Sequence, residues 1–254
     1  MKFLHARHAT SLLTYGGVQI LVDPVFSEKE VFPPYPLTPN KRRNPIVSLS
    51  TPLETLLAAD LVLSTHIHSD HFDDRARELL DKNIPLVCQP EDVKKLNEFG
   101  FKQLVPVENN IRLKNISISR VGAQHGTGLI GKMMGPSSGY VLSAENEPVV
   151  YFTGDTIYTE AVAENIRKFH PEILIVNAGS PKFLYSDPIV MNIMDLEKTL
   201  KVCSGLTYVV VHLETFNHCI EKREDIREYF SPERLANLGV KKFFVPEDNE
   251  MLLF

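Results

Sequence analysis

The run Ser64-Thr65-His66-Ile67-His68-Ser69-Asp70-His71-Phe72-Asp73 constrains this chain more than any other feature. Three imidazoles and a carboxylate fall within six positions, in a chain of 254 residues with nine histidines. His66 and His68 are two apart, so at the end of an extended strand both rings project from one face. Asp70 and His71 then fall in the turn that opens the next helix, where a tight bend swings their side chains back toward the same point. This donor set suits one or two borderline or hard divalent cations. The bland alternative is a polar turn of surface histidines with Asp70 as helix N-cap, and a cap role for Asp70 is compatible with either reading.

Further donors recur in the same topological place. His125 follows the strand-like run Ile116–Val121 and the loop Gly122-Ala123-Gln124. Asp155 comes directly after Tyr151-Phe152-Thr153-Gly154, and His212 ends Thr207–Val211. Taken singly, each is more often a structural or turn residue. Open α/β sheets, however, place their sites at the carboxyl ends of strands, and all three lie there.

The rest of the pattern is mixed α/β. Thr10–Tyr15 and Val18–Val22 predict two strands joined through Gly16-Gly17. Leu61–Ser64, Ile116–Val121, Gly139–Ser143, Val149–Thr153, Ile173–Asn177, Thr207–His212 and Lys242–Val245 predict further strands. Helical spacing is expected over Phe72–Lys82, Glu91–Phe99, Glu160–Phe169, Asp195–Cys203 and Lys222–Phe230. Strand–helix alternation after an early hairpin predicts two sheets covered by helices. No repeat and no linker divides the chain, so residues 1–254 are expected to form a single domain. Asp23–Val47, Pro-rich and carrying Lys41-Arg42-Arg43, and Gly122–Ser138, Gly-rich with Met133 and Met134, are expected to be long functional loops.

Composition narrows the function. A hydrophobic share of 43% with 23% charged residues is ordinary for a globular domain and excludes a disordered or fibrous chain. A net charge of −5, from 27 Lys+Arg against 32 Asp+Glu, lacks the basic excess of a nucleic-acid binder. Cys88, Cys203 and Cys219 are too few and too scattered for a disulfide framework and fit a reducing cytoplasm. The opening MKFLHARHAT has no apolar core of a signal peptide, and no apolar run approaches the ~20 residues of a membrane span.

The HxHxDH string at 66–71 is similar to the signature of the metallo-β-lactamase superfamily. The order that follows also resembles it: a lone His125, the Gly-Asp-Thr carboxylate Asp155, and His212 after a strand. His8-Ala9-Thr10, Gly17 and Leu21-Val22-Asp23-Pro24 resemble the branch containing ascorbate-6-phosphate lactonases and N-acyl-phosphatidylethanolamine phospholipase D. The resemblance implies an αββα four-layer sandwich and a metal-dependent hydrolase. It implies two divalent ions, zinc first with manganese or iron as alternatives. His66, His68 and His125 would hold one ion and Asp70, His71 and His212 the other. Asp155 and a nucleophilic hydroxide would bridge the pair, cleaving an ester-like bond, lactone or phosphodiester, of a small substrate. A phosphodiesterase or phospholipase-D-type activity and a metal-binding sensor without turnover are the rival readings. β-Lactamases of this fold carry Cys where this chain has Asp155, so antibiotic hydrolysis is not expected. His68 stands where the iron-dependent redox branch often has Glu, which favours hydrolysis.

His218 competes with His212 as the last ligand. With His212 favoured because it abuts the strand, His218 is expected, with Asp70, to serve catalysis by contacting substrate or protonating a leaving group. His8 and Asp23 are candidates for orienting metal ligands from behind, and Asn177 for the pocket wall. Met133 and Met134 are candidates for an apolar lid. Lys41-Arg42-Arg43 is more simply a solvated charge run than an anion grip. Homo-oligomerisation is left open.

Overall fold

The computed structural model describes residues 1–203, 205–240 and 242–254. The first half runs β1 (Lys2–Arg7), β2 (Thr10–Tyr15), β3 (Val18–Val22), α1 (Leu53–Leu57), β4 (Leu61–Leu63), α2 (Asp74–Leu79), β5 (Leu86–Cys88), α3 (Val93–Glu98) and β6 (Leu104–Pro106). The second runs β7 (Asn110–Leu113), β8 (Ile116–Ala123), α4 (Gly128–Met134), β9 (Ser137–Ser143), β10 (Val150–Phe152), α5 (Glu160–Phe169), β11 (Ile173–Asn177), α6 (Ile193–Val202) and β12 (Thr207–Val211). The chain ends with α7 (Arg223–Tyr229), α8 (Pro232–Asn237), β13 (Lys242–Phe244) and β14 (Glu250–Leu253).

Two seven-stranded sheets result, in the orders β14-β1-β2-β3-β4-β5-β6 and β13-β12-β11-β10-β9-β8-β7. Each sheet is antiparallel on one side and parallel on the other. Pairing is antiparallel from β14 to β3 and from β7 to β10, and parallel from β3 to β6 and from β10 to β13.

Alternation along the parallel strands explains the layering. Leu61 and Leu63, Ile173 and Ile175, and Val209 and Val211 share one core with Phe3, Leu13, Ile118 and Phe152, drawn from both sheets. The intervening Val62 packs outward with Leu56, Ala76 and Leu96 of the helices over the first sheet. Leu174, Tyr208 and Val210 pack outward against Ile166, Leu200 and Ile226 over the second. Strands buried on both faces must be apolar throughout, which is why they stand out as unbroken runs. The predicted four-layer αββα sandwich is the observed architecture. Among the described residues no helix is long and apolar enough to cross a membrane.

Several expectations need correction. Gly122–Ser138 is not one long loop: β8 runs on to Ala123, Gly128–Met134 forms α4, and β9 starts at Ser137. Two glycines, Gly128 and Gly131, hide this short helix from a reading by periodicity. The cap of α2 is Asp73, not Asp70, and the helix is Asp74–Leu79 rather than Phe72–Lys82. The strands β1, β5, β6, β7 and β14 went unread. β1 carries His5 and Arg7 within a buried strand, and β5 and β6 are three residues long, with Pro85 just before the first and Pro106 ending the second. Asp23–Val47, by contrast, holds no helix or strand; it closes on itself through a bridge between Phe32 and Asn44 and the Glu30 N–H on the Pro45 carbonyl. The three cysteines are free, with Cys88 and Cys219 buried.

Asp73 ties this loop to the motif. Its Oδ1 accepts the Ala76 N–H at 2.7 Å, and its Oδ2 accepts the N–H groups of Phe26 at 3.0 Å and Ser27 at 2.7 Å. Asp73→Ala removes a cap and strands buried donors, so a loss of about 2–4 kcal/mol is expected in chemical denaturation. An unchanged midpoint would refute this role.

Candidate active site

All the residues singled out at strand ends arrive at one edge of the sandwich. His8 follows β1, Asp23 follows β3, and His66–His71 lies between β4 and α2. From the second sheet come His125 after β8, Asp155 after β10, Asn177 at the end of β11 and His212 after β12. The chain turns sharply there. His8, Asp23 and His212 adopt left-handed backbone conformations, with φ of 59°, 44° and 69°. For side-chain-bearing residues this costs roughly 1–3 kcal/mol each and persists only where the surroundings enforce it. Gly154 has φ of 61°, and a Cβ there would lie 2.3 Å from the Ser138 carbonyl oxygen, so the turn into Asp155 requires glycine.

Hydrogen bonds fix the rings. His71 Nδ1 donates to Asp23 Oδ2 at 2.8 Å, His125 Nδ1 to the Ile189 carbonyl at 2.9 Å, and His212 Nδ1 to the Ala178 carbonyl at 3.1 Å. Thr65 Oγ1 donates to Asp23 Oδ2 at 2.8 Å, so its oxygen is left to accept from His66 Nδ1 at 3.1 Å. With a donor committed at Nδ1, each of these four rings turns its Nε2 inward.

The inward atoms form overlapping groups. His66, His68 and His125 bring ligand atoms within 4.8 Å of one another, and so do His66, His71 and Asp155. A further group comprises His8, Asp70, His71 and His212. Asp155 lies in the middle: Oδ1 is 3.3 Å from His71 Nε2, and Oδ2 is 3.5 Å from His212 Nε2 and 3.6 Å from His125 Nε2. Asn177 Nδ2 steadies it by donating to Oδ1 at 2.8 Å. Asp70 Oδ2 lies 3.3 Å from His218 Nε2 and 3.9 Å from His212 Nε2. His212 therefore faces both carboxylates, whereas His218 stands beside Asp70 at the mouth.

The electrostatics fit a cationic occupant. Burial would raise the Asp155 carboxyl, but His212, His71 and His125 outweigh it and hold it well below the usual carboxylate range. Burial, then His71 and His68, push His66 well below an ordinary imidazole, and burial brings His212 down to about 4. Neutral imidazoles and ionised carboxylates are the forms that bind metal. His71 differs: burial opposes its charge, yet Asp155 and Asp23 on either side raise it well above its ordinary value. The Nε2 atoms of His71 and His212 and both ring nitrogens of His8 are buried without a hydrogen-bond partner. Unpartnered buried nitrogens beside buried carboxylates are costly, and divalent cations satisfy both at once.

The cluster opens into a cavity of about 360 Å³. His68, Ser69, Asp70, His125 and His218 line its floor, and Tyr35, Pro36, Met133, Met134, Phe183 and Ile189 its walls. Among the described residues no Lys or Arg lines it. The basic cluster Lys41-Arg42-Arg43 is exposed, and Arg43 instead holds the carbonyls of Glu30 and Val31. Tyr35, Phe183 and Ile189 were missed from sequence because no spacing links them to the motif. Tyr35 is brought in by Asn217, which accepts its N–H at 2.9 Å and also contacts Asn44, Thr38 and Asn40.

Residues 19–213 match the family described as Beta-lactamase superfamily domain. The chain is 32% identical over 258 residues to UPF0173 protein YddR of Bacillus subtilis (strain 168), with 100% of both chains covered. Among solved structures it is similar to the isothiocyanate hydrolase from Delia radicum gut bacteria, at TM-score 0.94 and 30% identity over 100% of this chain and 99% of that one. It is equally close in fold, at TM-score 0.94 and 28% identity, to a possible metal-dependent hydrolase from Veillonella parvula DSM 2008, covering 99% of this chain and 98% of that one. Fold and site thus define a metal-dependent hydrolase of the metallo-β-lactamase class. The chain belongs to the Beta-lactamase superfamily domain family, in its UPF0173 group.

Asp23 sits behind the cluster, accepting from His71, from Thr65 Oγ1 and from the Thr65 N–H at 2.8 Å. Asp23→Asn keeps the shape and tolerates the left-handed backbone. It is expected to weaken metal binding by roughly 10–100-fold in chelator competition. Unchanged affinity would count against the bracing role.

Proposed function

We propose that this chain hydrolyses a small, uncharged substrate at an electrophilic carbon, using two divalent ions. His66, His68 and His125 would hold one ion and Asp70, His71 and His212 the other, with Asp155 facing both. Zinc is the first choice, and the mixed His/Asp donors also suit manganese or iron. When bound, the ions supply a water acidified toward neutrality and a positive clamp for developing negative charge.

The chain's own residues supply the rest. The committed Nδ1 donors hold four imidazoles in one tautomer, and Asn177 fixes the rotation of Asp155. His218 lines the cavity, and its Nε2 pairs with Asp70 at 3.3 Å. Its ring is placed to contact the substrate or, in its doubly protonated form, to hand a proton to the leaving group. The apolar walls seat a nonpolar substituent and exclude water.

The observation that carries this reading is a His/Asp cluster opening onto an apolar cavity lined, among the described residues, by no Lys or Arg. Among the described residues a phosphodiester would find no Lys or Arg there to meet its charge, so phospholipase-D-type activity ranks below attack on a neutral group. An isothiocyanate is the first substrate to test, because the isothiocyanate hydrolase matches this chain along its whole length. A lactone is second: its compact neutral ring also suits the cavity. Residues filling all seven metal positions beside an open cavity favour turnover over a sensor. The same reading takes residues 1–254 as one catalytic unit working on small molecules in the cytoplasm.

The test assays metal-reconstituted protein against an arylalkyl isothiocyanate, a lactone and bis-p-nitrophenyl phosphate. Turnover of a neutral substrate is expected, lost on chelation and regained on adding metal. Turnover of the phosphodiester alone would overturn the reading. Replacing His66 and His68 by Ala is expected to remove about one metal equivalent by elemental analysis; full occupancy would refute the ligand assignment. Asp155→Asn is expected to lower turnover by orders of magnitude, and an undiminished rate would remove Asp155 from between the ions.

A further inference from the structure

His8 belongs to no ligand set inferred from the superfamily resemblance, yet it lies within the cluster rather than behind it. It is fully buried at 0% exposure, and both its ring nitrogens lack a hydrogen-bond partner. Its Nε2 is 3.8 Å from Asp70 Oδ2, and its ring lies against that of His212 with centroids 3.7 Å apart. The backbone places it deliberately. Its left-handed φ of 59° turns the side chain off the end of β1, and its carbonyl accepts the His212 N–H at 2.9 Å and His5 Nε2 at 2.9 Å. A neutral imidazole carries one donor and one acceptor. Leaving both unmet in a dry interior is costly, and a cation among His8, Asp70, His71 and His212 relieves the acceptor.

We propose that His8 is itself a metal donor, and that His8, Asp70, His71 and His212 form an inner position that fills first and holds its ion more tightly. This rests on the two-ion reading above. The four ligand atoms already lie within 4.8 Å of one another, and contraction by several tenths of an ångström brings them to bonds of about 2.0–2.2 Å. The inner position then has four protein donors, three of them imidazoles at 0% exposure. The outer position has His66, His68 and His125, of which His68 is only partly buried and lines the cavity. Charge and donor number favour the inner position, and openness toward substrate marks the outer. The half-loaded protein is therefore a defined species, with its single ion held among the buried His8, His71 and His212 and reaching the cavity only through Asp70.

The test is zinc titration of the metal-free protein against a chromophoric chelator, with a crystal structure at one equivalent. Two unequal dissociation constants are expected, with one anomalous peak about 2.1 Å from His8 Nε2. His8→Gln is expected to weaken the tighter equivalent at least about tenfold and to leave the weaker one within twofold. X-ray absorption of that variant at one equivalent is expected to show one imidazole fewer. His68→Ala is expected to spare the tight equivalent. A peak beyond bonding distance of His8, or unchanged constants in His8→Gln, overturns the proposal and leaves the seven-ligand site intact. Failure of the wild-type protein to bind a second equivalent would instead strike the two-ion reading itself. The crystallographic arm needs no variant, so poor folding of His8→Gln does not shelter the proposal.

Discussion

The Asp23 carboxylate is the contact on which the site depends. It follows β3 directly, and from there it takes the Thr65 N–H, the Thr65 hydroxyl and His71 Nδ1. Those three bonds join the first sheet's central strand to the motif loop. They also set, through Thr65, the orientation of His66. A buried carboxylate is costly unless its lone pairs are filled, and here the filling groups are the ones whose orientation metal binding requires. Its left-handed φ of 44° is strain retained at a site where the surrounding bonds permit no other geometry.

Around that anchor the sandwich gathers strand ends. The first sheet contributes His8, Asp23 and the motif loop, and the second contributes His125, Asp155, Asn177 and His212. Burial of the inter-sheet core fixes the separation of the two edges, and the close packing of such cores resists adjustment. The helices cover the outer faces of the sheets, so the metal cluster lies at an exposed edge while remaining enclosed by its own ligands. The loop carrying Tyr35, held by Asn217, and α4 carrying Met133 and Met134 then wall the cavity and set what can reach the cluster.

Much of this was legible beforehand. The doubly buried strands β11 and β12 announced themselves as unbroken apolar runs, and His66, His68, Asp70 and His71 are brought together by local geometry alone. β1 was not legible, because His5 and Arg7 interrupt its hydrophobicity. Both are buried because distant partners satisfy them: His5 through the carbonyls of Glu247 and His8, and Arg7 through those of Val25, Ser27 and Val47. Asp73 rather than Asp70 became the cap for a similar reason, since its second oxygen is claimed by Phe26 and Ser27 from another loop.

By itself the sequence determined the chemistry: the donor types, the alternation that makes two buried sheets, and the metallo-β-lactamase pattern follow from neighbours a few residues apart. Tertiary structure decided what those donors meet. That His8 enters the cluster, that His212 faces both carboxylates while His218 stands at the mouth, and that the cavity is apolar depend on contacts between residues tens to hundreds of positions apart. Local spacing carries no information about such contacts, because they are set by the packing of one sheet on the other.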